Sequence, residues 1–163
     1  MTTEKRIRYL LASIALFLII GILMSFKLWL SERFFPHTPV GGFFPVFPTP
    51  VDFILLALFL GGLLWTIFRP KIIILRLTLL ILLLILLQDQ MRWQPWIFMY
   101  VLMLIPFAWV DFSKSKKGST LHLTTIQLVL IGMYLWGGLH KFTPSFFELT
   151  FPAILTGLFK ISN

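Results

Sequence analysis

The stretch VDFILLALFLGGLLWTIFRPKIIILRLTLLILLLILL, residues 51–87, decides the fold. It is apolar almost throughout and breaks at Arg69-Pro70-Lys71. Proline lacks an amide donor and its ring clashes with the carbonyl one turn back, so a single uninterrupted helix is excluded. The two halves must form a helical hairpin. A span needs roughly 20 mostly apolar residues at about 1.5 Å each to cross about 30 Å of hydrocarbon, and each half comes close to that.

Working outward, three more stretches have the same character: Tyr9 to Trp29, Trp93 to Val110 and Leu121 to Leu139. The expected fold is therefore all-α, a polytopic membrane helical bundle of about five transmembrane helices forming a single transmembrane domain over residues 1–163. Composition agrees. With 58% hydrophobic and 12% charged residues and a mean hydropathy of +0.93, the chain has too little polar surface to coat a soluble particle.

The net charge of +8 does not point to nucleic acid, because most basic residues sit in short clusters beside apolar runs, as lipid head groups and the positive-inside rule require. Counting Lys and Arg through five spans puts Lys5, Arg6 and Arg8, then Arg69, Lys71 and Arg76, then Lys114, Lys116 and Lys117 on one side. That side is expected to be cytoplasmic, with the N-terminus. The other side then carries Lys27, Arg33, Arg92, Lys141 and Lys160 together with Glu32, Asp52, Asp89, His37, His140 and Glu148. The first apolar run follows a basic patch but ends at Leu30-Ser31-Glu32-Arg33 and not at a small-residue cleavage site, so it reads as a retained helix. The sequence contains no cysteine, which removes disulfides, thiolate nucleophiles and cysteine metal sites from consideration.

Two irregular segments flank the spans. Residues 34–50 are too rich in proline for a helix and too aromatic for a solvated linker; they form either an aromatic belt at the outer interface or the roof of a lipophilic cavity. Residues 143–163 open with Thr143-Pro144, a helix-start pair, but contain Glu148 and Pro152, which suits an interfacial or re-entrant tail.

Two polar clusters are candidates for chemistry. On the last span Gln127, Tyr134, Gly138 and Lys141 fall within a narrow arc at 100° per residue, and Gly137-Gly138 permits close helix approach. Lys141 is either a snorkelling interface anchor or a desolvated base. The second cluster is Gln88-Asp89-Gln90-Met91-Arg92-Trp93-Gln94-Pro95-Trp96. If the third helix continues into it, Asp89 and Arg92 stand at i, i+3 and can pair, with Trp93 and Trp96 at the interface. Asp52, opening the second span, suits the positive end of that helix. No His–Glu metal spacing, phosphate-binding loop, nucleophile elbow or dinucleotide-binding glycine pattern is present, so no metal ligands are assigned.

The order Phe44-Pro45-Val46-Phe47-Pro48 before a span, Leu60-Gly61-Gly62-Leu63 within it, Arg69 after it, Leu87-Gln88-Asp89 with Trp93, then Tyr134-Leu135-Trp136-Gly137-Gly138-Leu139-His140-Lys141-Phe142 and a stretch through Glu148 resembles the membrane part of vitamin K-dependent gamma-carboxylases and the wider bacterial horizontally transferred transmembrane domain group. The resemblance covers roughly residues 43–148. In the carboxylases the second residue of a basic pair deprotonates reduced vitamin K, and that position matches Lys141; His140 stands where the pair has another lysine. The resemblance thus implies Lys141 as catalytic base with His140 beside it, and a reduced quinone as cofactor. Gln127, Tyr134, Asp89, Arg92, Trp93 and Trp96 become candidate ligand-binding residues in the outer leaflet. Trp96 occupies the place of a family histidine near the quinone. A prokaryotic cell (inner) membrane is the expected setting.

Two other functions are compatible with the residues. One is a non-enzymatic subunit packing against a membrane-protein partner or another copy of itself; the other is a small quinone-linked redox-associated subunit. Transport is the weakest option, because Arg76 is the one charge well inside a span and it can snorkel to the cytoplasmic face.

Overall fold

A computed structural model describes residues 2–32, 36–41, 47–111 and 116–159. Much of the proline-rich loop (33–35 and 42–46), the lysine-bearing link 112–115 and the tail from Lys160 lie outside the described residues. Six α-helices carry the fold: α1 (Thr3–Met24), α2 (Val51–Phe68), α3 (Ile72–Leu87), α4 (Pro95–Trp109), α5 (Lys116–Leu139) and α6 (Phe151–Phe159). Among the described residues there is no β-strand. Helices over Thr3–Met24, Val51–Phe68 and Thr120–Leu139 are long and apolar enough to cross a membrane, whereas α3 and α4 are shorter. The chain divides into two compact units, Met1–Ile126 and Gln127–Asn163, and α5 passes from one into the other.

In the first unit α1 to α4 form a four-helix bundle, each packing on the next and α1 closing on α4. Buried positions follow the helical period: Ile7, Leu11, Ile14, Leu18 and Ile22 on α1, and Asp52, Leu56, Phe59, Leu63 and Thr66 on α2. On α3 they are Leu75, Thr78, Leu82 and Ile85. Inside lipid such packing draws on close contact and not on water exclusion, so small residues matter. A Cβ built on Gly62 would collide with Thr78 Oγ1; only glycine lets α2 and α3 approach this closely. At its other end α1 begins earlier than hydropathy suggests, at Thr3, because the Thr2 side chain caps it by accepting from Lys5 N and Glu4 sits in its first turn. It ends at Ser25, whose hydroxyl donates to Gly21 O (2.7 Å) and accepts from Trp29 Nε1 (3.0 Å), and a 3₁₀ turn over Phe26–Trp29 follows.

The hairpin expected at Arg69-Pro70-Lys71 is present: Arg69 N closes α2 on Trp65 O at 2.8 Å, and α3 begins at Ile72. Pro95 opens α4 in the first helical position, where a missing amide costs nothing. The start of α5 belongs to the first unit, where the His122 ring lies 4.5 Å from that of Phe107.

The second unit holds the rest of α5, a turn through His140 and Lys141, and the tail helix. Pro152 does not end that helix. It is preceded by a widened π-type turn over Phe146–Thr150, in which Phe151 N bonds back to Phe146 O. Such a turn displaces the carbonyl with which a proline ring would collide in a regular helix.

Candidate functional site

The densest polar cluster lies where α3 gives way to α4. Helix α3 stops at Leu87, so Asp89 does not continue it. Asp89 instead takes an extended conformation and caps a separate 3₁₀ turn, Gln90–Arg92, its carboxylate accepting from Met91 N at 3.1 Å. The tight turn achieves what the i, i+3 spacing implied: Arg92 Nε lies 3.6 Å from Asp89 Oδ2. Both residues are inside, Asp89 at 0% and Arg92 at 1% exposure. Burial of a charge pair is tolerated only when the remaining polar atoms are bonded. Here Arg92 Nε also donates to Leu28 O (3.2 Å) and Nη1 to Ile85 O (3.1 Å). The guanidinium thereby ties the turn after α1 to the end of α3.

The described part of the proline-rich loop closes over this pair. The Thr38 hydroxyl donates to Asp89 Oδ1 at 3.0 Å, and His37 Nδ1 lies 3.9 Å from Oδ2. His37 Nε2 is 3.1 Å from Ser31 O; a carbonyl can only accept, so Nε2 carries the proton. Backbone bonds reinforce the seam: Gln90 N donates to Thr38 O (2.8 Å) and Val40 N to Leu87 O (2.9 Å). At Gly41 the chain turns back with φ of 95°, a left-handed conformation that favours glycine. On the loop's other flank Ser31 N donates to Asp52 Oδ2 at 2.6 Å, while Asp52 Oδ1 accepts from Phe53 N at 2.8 Å. Asp52 thus serves the N-terminal end of α2, as its position suggested, and holds the loop as well.

The two tryptophans of this cluster have different tasks. Trp93 donates its indole N–H to Leu86 O at 2.9 Å and meets Phe98 edge-on. Trp96 is half-buried, edge-on to both Trp29 and Tyr100 with centroids 6.4 and 6.3 Å away. A Cβ on Gly21 would come 2.9 Å from its ring; Gly21 is the notch in α1 that admits Trp96.

The remaining candidates, Gln127, Tyr134, His140 and Lys141, belong to the second unit. Gln127, Tyr134 and Gly138 lie on α5, but the helix ends at Leu139 and Lys141 follows in the closing turn, its N–H bonded to Gly138 O at 2.9 Å. His140 stands edge-on to Trp136, 5.2 Å between centroids. A small cavity of about 220 Å³ opens beside this turn, lined by Trp136, Leu139, His140 and Thr143. Tyr134 is 81% exposed, and the Lys141 side chain is exposed too.

One buried ionisable residue escaped the sequence reading. His122 is fully buried on α5, its Nδ1 against Gly118 O and its ring on Phe107. An ionisable side chain within a largely apolar helix is itself a signal. Among the described residues no group of three or more His, Cys, Asp or Glu could hold a metal ion. No protein-family model matches the chain, and no curated protein or solved structure is significantly similar to it.

Proposed function

We propose that this integral membrane protein crosses the bilayer five times with its N-terminus and the Arg69-Pro70-Lys71 hairpin on the cytoplasmic side, and that it binds a lipophilic, quinone-like ligand in the outer leaflet. The observation that carries this reading is the turn ending α5, where His140 lines a cavity with Trp136, Leu139 and Thr143 and Lys141 is the next residue in the chain. Those walls suit an aromatic ring system, and the imidazole and the Thr143 hydroxyl suit its oxygen substituents. A reduced quinone supplies an acidic hydroxyl to such a site. Lys141, exposed in the turn that follows the helix, is the base that accepts that proton. His140 hydrogen-bonds the ring oxygen, and Gln127 and Tyr134 continue the polar face along the same helix. The Asp89–Arg92 clasp has a supporting part: it holds the outer loop in place on the first unit.

The deciding experiment measures binding of a reduced naphthoquinone to purified protein together with thermal unfolding. Lys141→Ala is expected to abolish binding, or any turnover found, with unfolding nearly unchanged. Loss of stability in step with binding would make Lys141 a structural residue and end the proposal.

A second reading, a non-enzymatic subunit for another membrane protein or a second copy of itself, draws on one feature. Among the described residues nothing lies within 4 Å of a Cβ placed on Gly137 or Gly138, so this small-residue face is open to a partner helix. It predicts a stoichiometric partner after mild detergent extraction. A solitary monodisperse monomer counts against it.

A further inference from the structure

Between α3 and α4 runs a crevice of about 370 Å³ that no part of the proposed function uses. Its walls are hydrocarbon and aromatic, from Leu79 and Ile105 near one end to Leu86 and Phe98 at the other, and Arg76 is the one charged residue lining it. Arg76 is held in place: Nε donates to Ala108 O at 2.7 Å, and the guanidinium lies over the Trp109 ring, 6.0 Å from its centroid. Among the described residues its two terminal nitrogens have no hydrogen-bond partner. Those two nitrogens form the fork that binds phosphate oxygens in pairs.

Shape narrows the occupant. From Arg76 to Leu86 is ten residues of helix, about 15 Å, or half of a hydrocarbon core of about 30 Å. Spread over that length, the volume corresponds to a mean cross-section of about 25 Å², against about 80 Å² for an α-helix about 10 Å in diameter. One extended hydrocarbon chain fits within it, whereas a partner helix could only lie across its opening. A wall without polar groups cannot satisfy a polar occupant along its length. A lone cation at one end asks for an anion at one end. We infer that the α3–α4 crevice is a binding site for one acyl chain of an anionic glycerophospholipid, whose phosphate is taken by the Arg76 guanidinium. Arg69 and Lys71 mark the same end of the bundle as the head-group side.

Native mass spectrometry of the full chain, delipidated and titrated with phosphatidylglycerol or phosphatidylcholine of identical acyl chains, tests this. Wild type is expected to retain one phosphatidylglycerol about tenfold more tightly than phosphatidylcholine, whose phosphate is the same but whose choline cation offsets that charge and repels the guanidinium. Arg76→Gln is expected to erase that preference, and Arg69→Gln, at the same end but outside the crevice, to keep it. Val101→Trp, which fills the crevice, is expected to lower retention of both lipids. Circular dichroism verifies folding of each variant, and Arg76→Lys, which keeps the charge without the fork, serves as a milder replacement. Equal retention of the two lipids by wild type, loss of the preference in Arg69→Gln, or full retention by Val101→Trp would overturn the assignment. So would displacement of phosphatidylglycerol by equimolar oleate, since the ligand would then be a free fatty acid.

Discussion

The Asp89 cluster and the Lys141 turn draw on similar residues and treat them in opposite ways. Each has a basic side chain, a histidine, a threonine and tryptophan, and each follows the end of an apolar helix. At the first, acid and base are enclosed, the guanidinium donating to the carbonyls of Leu28 and Ile85 and the carboxylate accepting from the Thr38 hydroxyl of the loop that closes over them. At the second, His140 and Lys141 sit exposed in a turn with only local bonds. Enclosure fixes a polar group and consumes its bonding capacity, whereas exposure leaves it available. The first arrangement is that of a clasp; the second leaves its polar groups accessible.

The largest expected effect breaks the clasp. Asp89→Ala strands a buried guanidinium, and removing one member of a buried pair costs about 3–5 kcal/mol. Unfolding of the purified protein in detergent measures it. Arg92→Ala is expected to cost a similar amount, and the double variant clearly less than the sum, because neither charge is then left alone. Strict additivity would show that the two side chains do not act as a pair.

Next in size is a comparison of the two glycine pairs. Gly62→Val forces a side chain onto Thr78 and should cost about 1–3 kcal/mol through overpacking. Thr78→Ala is expected to recover part of that loss. Gly137→Val meets no neighbouring atom within 4 Å, so the monomer should tolerate it. If Gly137→Val instead shifts the protein from a larger to a smaller species on size exclusion, that face is an interface between chains.

A smaller effect sharpens the picture of the loop. Thr38→Val removes a hydroxyl donor from the Asp89 carboxylate and should cost about 1 kcal/mol, the usual net worth of one hydrogen bond. Amide exchange at Val40 and Gln90, whose N–H groups form the seam, should accelerate, while exchange in the middle of α2 stays slow. Unchanged exchange at both amides would mean that the backbone seam alone holds the loop.

Much of the helical scaffold could be read directly from residue order. Pro70 between two apolar runs dictated the hairpin, and the 3.6-residue spacing of buried positions followed from a bundle whose helices each bury one face. The Asp89–Arg92 pair was visible as spacing, but its conformation was not, since three residues apart suits an α-turn and a 3₁₀ turn alike. His37 and Thr38 could not be tied to Asp89, because the contact joins residues 51 apart in sequence and depends on where the loop lands. Trp96 was read as an interface aromatic from its place beside Arg92. Its half-buried packing depends on the notch at Gly21 on another helix, and local patterning carries no record of such pairings.

The smallest expected change in stability is the most informative for function. Lys141→Ala removes an exposed side chain whose backbone N–H alone is engaged in the turn, so the unfolding free energy should move by no more than about 0.5 kcal/mol. Binding of a reduced quinone should nevertheless disappear, because no other amine lies in that turn to take the proton. Lys141→Arg separates charge from basicity: a guanidinium keeps the positive charge but stays protonated at any working pH. An anchor at the lipid interface is satisfied by arginine, and a base is not. Retained ligand turnover in Lys141→Arg would therefore return Lys141 to the role of anchor, and loss of turnover with the fold intact would leave deprotonation as its task.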